Sequence, residues 1–278
     1  MAPAEPKETG KGRGGATMYL DVIDLRDFYA TLLGRTVLRL VDAAIGRLAE
    51  PAPKGAVLGF GFATPYLPRL AGGAERVIGF MPAQQGVLDW PPEGRSATAL
   101  VEEAALPLPD ASMDFILVVH ALEMSPKPHA LTGELRRVLT AGGRLLIVVP
   151  NRQGLWARSD ISPFGHGRPY SRGQLRALFA EAGFQGVAWD TALYMPPSGR
   201  RTIIRSSGML ERTGRRFWPA FCGVTLALAI KTTIEGVRVR VRPRLAPALG
   251  HALQPRALGR SSAREHEHGL FAEEVPHP

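Results

Sequence analysis

Only one cysteine occurs in 278 residues. With Cys222 alone, the chain can form neither an internal disulfide nor a cysteine-rich zinc site. Cys222 sits in an apolar run and reads as a small core residue. Cysteine usage is consistent with a reducing cytoplasm, the expected location. Long apolar runs are also missing. The longest, Phe217 to Ile230, has 14 residues and contains Pro219 and Gly223, whereas a membrane-spanning helix needs roughly 20. The first fifteen residues are polar and rich in Gly, Pro and Lys, with no apolar targeting core. Acids are scarce in one region: residues 200–264 hold 14 Lys/Arg against two acids, Glu211 and Glu235. Residues 265–278 then add four Glu, so nearly all of the net charge of +9 belongs to the C-terminal quarter. A basic segment of this kind can meet nucleic acid or an anionic membrane. The plainer expectation is a solvated basic tail, because a basic run alone is weak evidence of a partner. Also absent are a Ser/His/Asp array, paired histidines at metal-ligand spacing and a Walker loop, so no metal is expected.

What is present is an alternation of short apolar runs with helical stretches. Residues 1–17 read as disordered. From Met18 to about Ala49, apolar residues recur at three- and four-residue steps, which predicts two helices broken at Gly34 and ended by Pro51 and Pro53. Strands are expected at Ala56–Phe60, Arg76–Phe80, Ala97–Val101, Met113–Val119 and Arg144–Val149, with later ones at Gly186–Leu193 and Phe221–Ile230. Helices are expected at Thr64–Ala71, Pro128–Leu139 and Ser171–Ala182, the last with Ser171 as N-cap and Gly183 as stop. Continuous Val/Ile/Leu strands separated by helices imply an α/β fold whose parallel sheet is covered on both faces. After Val237 the alternating Val-Arg run allows an edge strand, and Pro243, Pro247 and Pro255 end it. The expected organisation is a disordered 1–17, a main domain over 18–236 with a helical N-terminal cap, and a basic Pro/Arg-rich tail over 237–278.

Three stretches carry a resemblance. Ala56 to Leu67 reads as strand, glycine turn and helix start. Glu102 to Ile116 contains Leu106-Pro107-Leu108-Pro109-Asp110 followed by Ser112-Met113-Asp114-Phe115, and His120-Ala121-Leu122-Glu123 closes the following strand. Leu135 to Ile147 contains Arg137-Val138-Leu139-Thr140-Ala141-Gly142-Gly143-Arg144. In this order and spacing, from about Lys54 to Gln185, the chain resembles a class I S-adenosylmethionine-dependent methyltransferase of the type 11-like kind. The resemblance implies a Rossmann-like three-layer sandwich with a mostly parallel seven-stranded sheet and an antiparallel last strand. It also implies S-adenosylmethionine as cofactor and a small molecule as methyl acceptor.

The chemistry of such a site is simple to state. A glycine turn lets the backbone approach the cofactor. A carboxylate after strand two accepts from the ribose hydroxyls, and another after strand three accepts from the adenine amino group. Methyl transfer is then mostly a matter of alignment. Carried over residue by residue, the cofactor-binding positions are Gly59, Gly61, Met81, Glu102 and His120. Two depart from the pattern: Gly59 and Met81 stand where the family has acids, and Ala63 and Pro65 replace its later glycines. A thioether is a weak acceptor. Each lost charged partner weakens binding about ten- to a hundredfold. For catalysis the candidates are His166 and Tyr170, in the loop after strand five. The alternatives are a methyltransferase-like binding module without activity and, less favoured, a nucleic-acid-associated protein acting through its basic segment.

Overall fold

Residues 19–232 are described in a computed structural model. The expectations for residues 1–17 and for the tail from 237 lie outside them. Two helices open the described chain, α1 (Val22–Ala30) and α2 (Leu32–Ala49). The break falls at Thr31 and not at Gly34. Thr31 is extended, and its side chain accepts from Gly34 N, capping α2. Gly34 serves another purpose: a Cβ there would collide with the Phe28 carbonyl at the end of α1. It is a close-approach glycine inside the second helix.

Seven strands follow: β1 (Ala56–Gly61), β2 (Arg76–Pro82), β3 (Thr98–Val101), β4 (Met113–Val119), β5 (Leu139–Pro150), β6 (Phe184–Ala192) and β7 (Val224–Lys231). They form one sheet in the order β3-β2-β1-β4-β5-β7-β6. The pairs from β3 through β5 are parallel, and β7 runs antiparallel to both β5 and β6. This is the expected mostly parallel sheet with an antiparallel last strand. The helices are α3 (Leu67–Ala71), α4 (Pro128–Val138), α5 (Arg172–Glu181), α6 (Arg201–Arg205) and α7 (Ser207–Phe217). Ser171 caps α5 in a reciprocal capping box with Gln174, as the Ser-x-x-Gln spacing implies. Several boundaries differ from expectation, the larger differences being these. β5 begins at Leu139, so Gly142 and Gly143 lie inside the strand; β7 begins three residues after Phe221; and α6 and α7 fill a stretch in which no helix was expected.

The central strands β1, β4, β5 and β7 are buried on both faces over most of their length, and their alternation divides the core. Val57, Phe115, Leu117, Val119, Leu146 and Val148 pack with α1, α2 and α3 on one side. Leu58, Phe60, Ile116, Val118, Leu145 and Ile147 pack with α4 and α5 on the other. Three layers result. Because β1 to β5 are parallel, the loops after β1, β2, β3, β4 and β5 all emerge at one edge of the sheet. In open α/β sheets that edge is where ligands bind.

Candidate active site

The loop after β1 turns at Gly61, whose φ of +75° favours glycine. A Cβ at Gly61 would also collide with the Val119 carbonyl, which instead accepts from Phe62 N at 2.8 Å. The turn is thereby pinned to the end of β4. The next residue, His120, has a φ of +51°, a strained conformation that tends to occur at functional sites.

His120 is the hub of a buried polar network. Its Nε2 lies 2.9 Å from the Tyr29 hydroxyl, which lies 2.9 Å from the Tyr66 hydroxyl. Its Nδ1 faces a Glu123 oxygen at 3.4 Å. His120 and Glu123 are each 1% exposed. Neither Glu123 oxygen has a hydrogen-bond partner among the described residues, and the same holds for Gln85 Oε1. Gln85 Nε2 donates to the His120 carbonyl. Burial pushes the Tyr29 phenol well above its ordinary range, and Glu123 adds to the shift. Tyr66 is pushed up in the same direction, chiefly by burial. Both therefore stay protonated and can supply O–H donors.

Aromatic rings roof the glycine turn. Tyr29 stacks on Phe62 with centroids 5.5 Å apart, and Phe164 tilts against His120 at 4.6 Å. The Tyr29 ring comes from α1. The same segment is tied to the other loops of the edge: Val22 N donates to the Gln85 carbonyl, and the Tyr19 hydroxyl donates to Glu103, which also accepts from Ser125.

The residues carried over from the sequence pattern are thus placed as follows. Gly59, Gly61, Met81 and His120 are buried at the ends of β1, β2 and β4. Glu102 lies just past β3 and is exposed, while its neighbour Glu103 is buried and engaged. An acid at Gly59 would need Leu67 to move, because a Cβ would sit 2.9 Å from both δ carbons of Leu67 and 3.1 Å from Ala63 Cβ. Met81 is fully buried within the apolar layer.

His166 and Tyr170 separate. His166 is half-buried and lines a cavity of about 280 Å³ with Leu20, Asp24, Phe28, Asp160, Ile161 and Ser162. Ser162 is 3% exposed, and its hydroxyl is unpartnered among the described residues. Phe28 packs edge-on against Tyr29, so this cavity is one ring away from the glycine turn. Tyr170 is held instead at the end of β5, donating from its N–H to the Pro150 carbonyl. Burial, then Glu123, pushes its phenol up to about 12. A phenol raised in this way favours its protonated form at neutral pH.

Sequence reasoning missed Tyr29, Gln85, Glu123 and Asp24. Glu123 stands three residues after His120, a visible spacing. Tyr29 gave no signal, since an aromatic at an apolar helix position reads as core.

Residues 57–147, β1 through most of β5, match the family described as "Methyltransferase domain". Over these residues the chain is similar to methyltransferase domains. A Mycobacterium tuberculosis protein described as a "probable S-adenosylmethionine-dependent methyltransferase" is 37% identical over 109 residues, 38% of this chain and 39% of that protein. The 27-O-demethylrifamycin SV methyltransferase of Amycolatopsis mediterranei is 31% identical over 129 residues, 44% of this chain and 47% of that protein. The matched part therefore spans less than half the length of either relative. A crystal structure of a Thermotoga maritima S-adenosylmethionine-dependent methyltransferase superposes with a TM-score of 0.54 at 18% identity, covering 76% of this chain and 96% of that one. This last likeness establishes the methyltransferase-type fold.

Proposed function

We propose that the chain is an S-adenosylmethionine-dependent methyltransferase acting on a small-molecule acceptor. One observation carries the reading. The stretch that matches methyltransferase domains is also the stretch whose loops converge, at one sheet edge, on a pinned glycine turn and a buried, incompletely bonded polar cluster.

The residues fit the cofactor in three places. Gly61 lets the backbone approach a ligand. The exposed carboxylate of Glu102 is available to an adenine amino group. The unpartnered atoms of His120, Glu123 and Gln85 supply polar groups that a ligand can satisfy. At Gly59 and Met81 the fit fails, since neither offers a carboxylate and Leu67 fills the first space. When bound, the cofactor supplies an electrophilic methyl group on a sulfonium. The chain's own part is to position and to exclude water. Phe62, Tyr29 and Phe164 close the turn against solvent. The cavity between α1 and the loop after β5 receives the acceptor, and the His166 imidazole there is placed to take a proton from it.

Titration calorimetry with S-adenosylmethionine and with its demethylated product tests this. Heat of binding is expected, with Glu102→Gln weakening it about ten- to a hundredfold. No heat and no thermal shift at millimolar ligand would sink the enzyme reading in favour of a binding module without the cofactor.

A further inference from the structure

The segment between β6 and β7 buries Ile204 in the core but leaves several large apolar side chains on its outside. Helix α7 buries Ser207, Glu211 and Gly214. Glu211 accepts from Tyr194 N at 2.9 Å, and a Cβ at Gly214 would meet the Tyr194 ring. The helix thus turns its polar and small residues inward. Leu210 packs against the core, but Met209 and Phe217 of the helix, and Trp218 and Phe221 just after it, point outward, at 59%, 63%, 57% and 61% exposure. All seven residues from Arg215 to Phe221 are exposed. A soluble surface rarely leaves that much contiguous apolar area in water without use for it.

The same segment holds six arginines between Arg200 and Arg216, all exposed, and its one acid is the buried Glu211. Among the described residues, none of the six is in an ion pair. Arg216 lies over the Phe217 ring, 5.9 Å from its centroid. β7 begins at Val224 opposite Pro150, the last residue of β5. The aromatic turn just before it is therefore at the same sheet edge as the glycine turn and His120.

We propose that Met209, Phe217, Trp218 and Phe221, with the arginines of 200–216, form a docking surface for an anionic lipid bilayer. Trp and Phe partition into the headgroup boundary, and arginines around them meet anionic headgroups. Charge selects this occupant. A second copy would oppose six arginines to six. A duplex nucleic acid would satisfy the arginines and leave the apolar side chains without an apolar phase; a single strand, whose bases stack on aromatic rings, is the alternative that the test below separates. Docking there turns the edge that bears the candidate site toward the membrane. The inference does not depend on the methyltransferase reading.

Co-sedimentation of the full chain with phosphatidylcholine vesicles, with and without phosphatidylglycerol, tests it. Binding is expected only with phosphatidylglycerol, falling as salt rises. Arg215→Gln with Arg216→Gln should weaken it on the order of twentyfold, at about fivefold per arginine. Trp218→Ser with Phe221→Ser should abolish it while leaving the circular dichroism unchanged. In case that variant does not fold, brominated phosphatidylglycerol should quench wild-type tryptophan emission, and Trp218→Phe should remove the quenching. The proposal is overturned by absence of vesicle binding or by binding that survives all these substitutions. It is equally overturned if the same substitutions instead abolish self-association or retention on RNA.

Discussion

At the scale of single residues, Gly61 joins two requirements in one position, a left-handed φ and a missing side chain beside the Val119 carbonyl. Gly61→Ala should lower stability by about 2 kcal/mol or more in thermal or urea unfolding, because neither the backbone nor β4 can give way cheaply. Gly59 and Met81 behave differently from each other. Restoring an acid as Gly59→Asp should cost about 2 kcal/mol or more, since the carboxylate would be buried against Leu67 and Ala63. Met81→Asp also buries a charge and should lower the melting temperature of the free protein. Yet it supplies the acceptor that ribose hydroxyls lack here, so the melting shift caused by S-adenosylmethionine should grow relative to wild type. Paired melting curves with and without ligand separate the two effects. An unchanged ligand shift would mean that Met81 is not beside the ribose.

At the scale of elements, burial rather than pattern decides the boundaries. The Thr31 cap divides α1 from α2, and Gly34 lets them pass closely. Helix α7 was not legible because its sequence offers little beyond Leu210 for an apolar inner face. Glu211 fastens it to the turn after β6. Burial pushes the Glu211 carboxyl above its usual range, against opposing hydrogen bonds. The native state therefore keeps that proton at a pH where the unfolded chain has released it. Stability contributed there is lost as pH rises from the ordinary carboxylate range up through the raised native value. Glu211→Gln should flatten this part of the profile and retain the acceptor for Tyr194 N. Urea unfolding at pH 4 and 7 checks it: the wild type should lose more stability than the variant between the two.

At the scale of the whole described molecule, α1 and the residues just before it join the edge loops. Tyr19, Val22 and Tyr29 reach Glu103, Gln85 and His120, which follow β3, β2 and β4. A ligand entering over the glycine turn has to disturb these contacts. Amide hydrogen exchange in residues 22–30 should therefore respond to S-adenosylmethionine, together with the loops after β1, β2 and β4, while the central strands hardly change. A response confined to the surface around α7 would place the ligand elsewhere.

The sequence by itself determined the sheet. Its Val/Ile/Leu strands cannot be covered on one face only, and the order of motifs from Ala56 to Ile147 matches the parallel half. It also marked Gly61, Glu102 and His120, because a glycine after a strand and polar residues at strand ends are local signals. Only the tertiary structure decided what surrounds them. It brought Tyr29 from α1 onto His120, set Glu123 beside it, filled the space at Gly59 with Leu67, and parted His166 from Tyr170. It also turned Phe217, Trp218 and Phe221 outward from a run that reads as core. These are contacts between residues far apart in the chain, and local periodicity does not encode which of two faces a neighbouring element will cover.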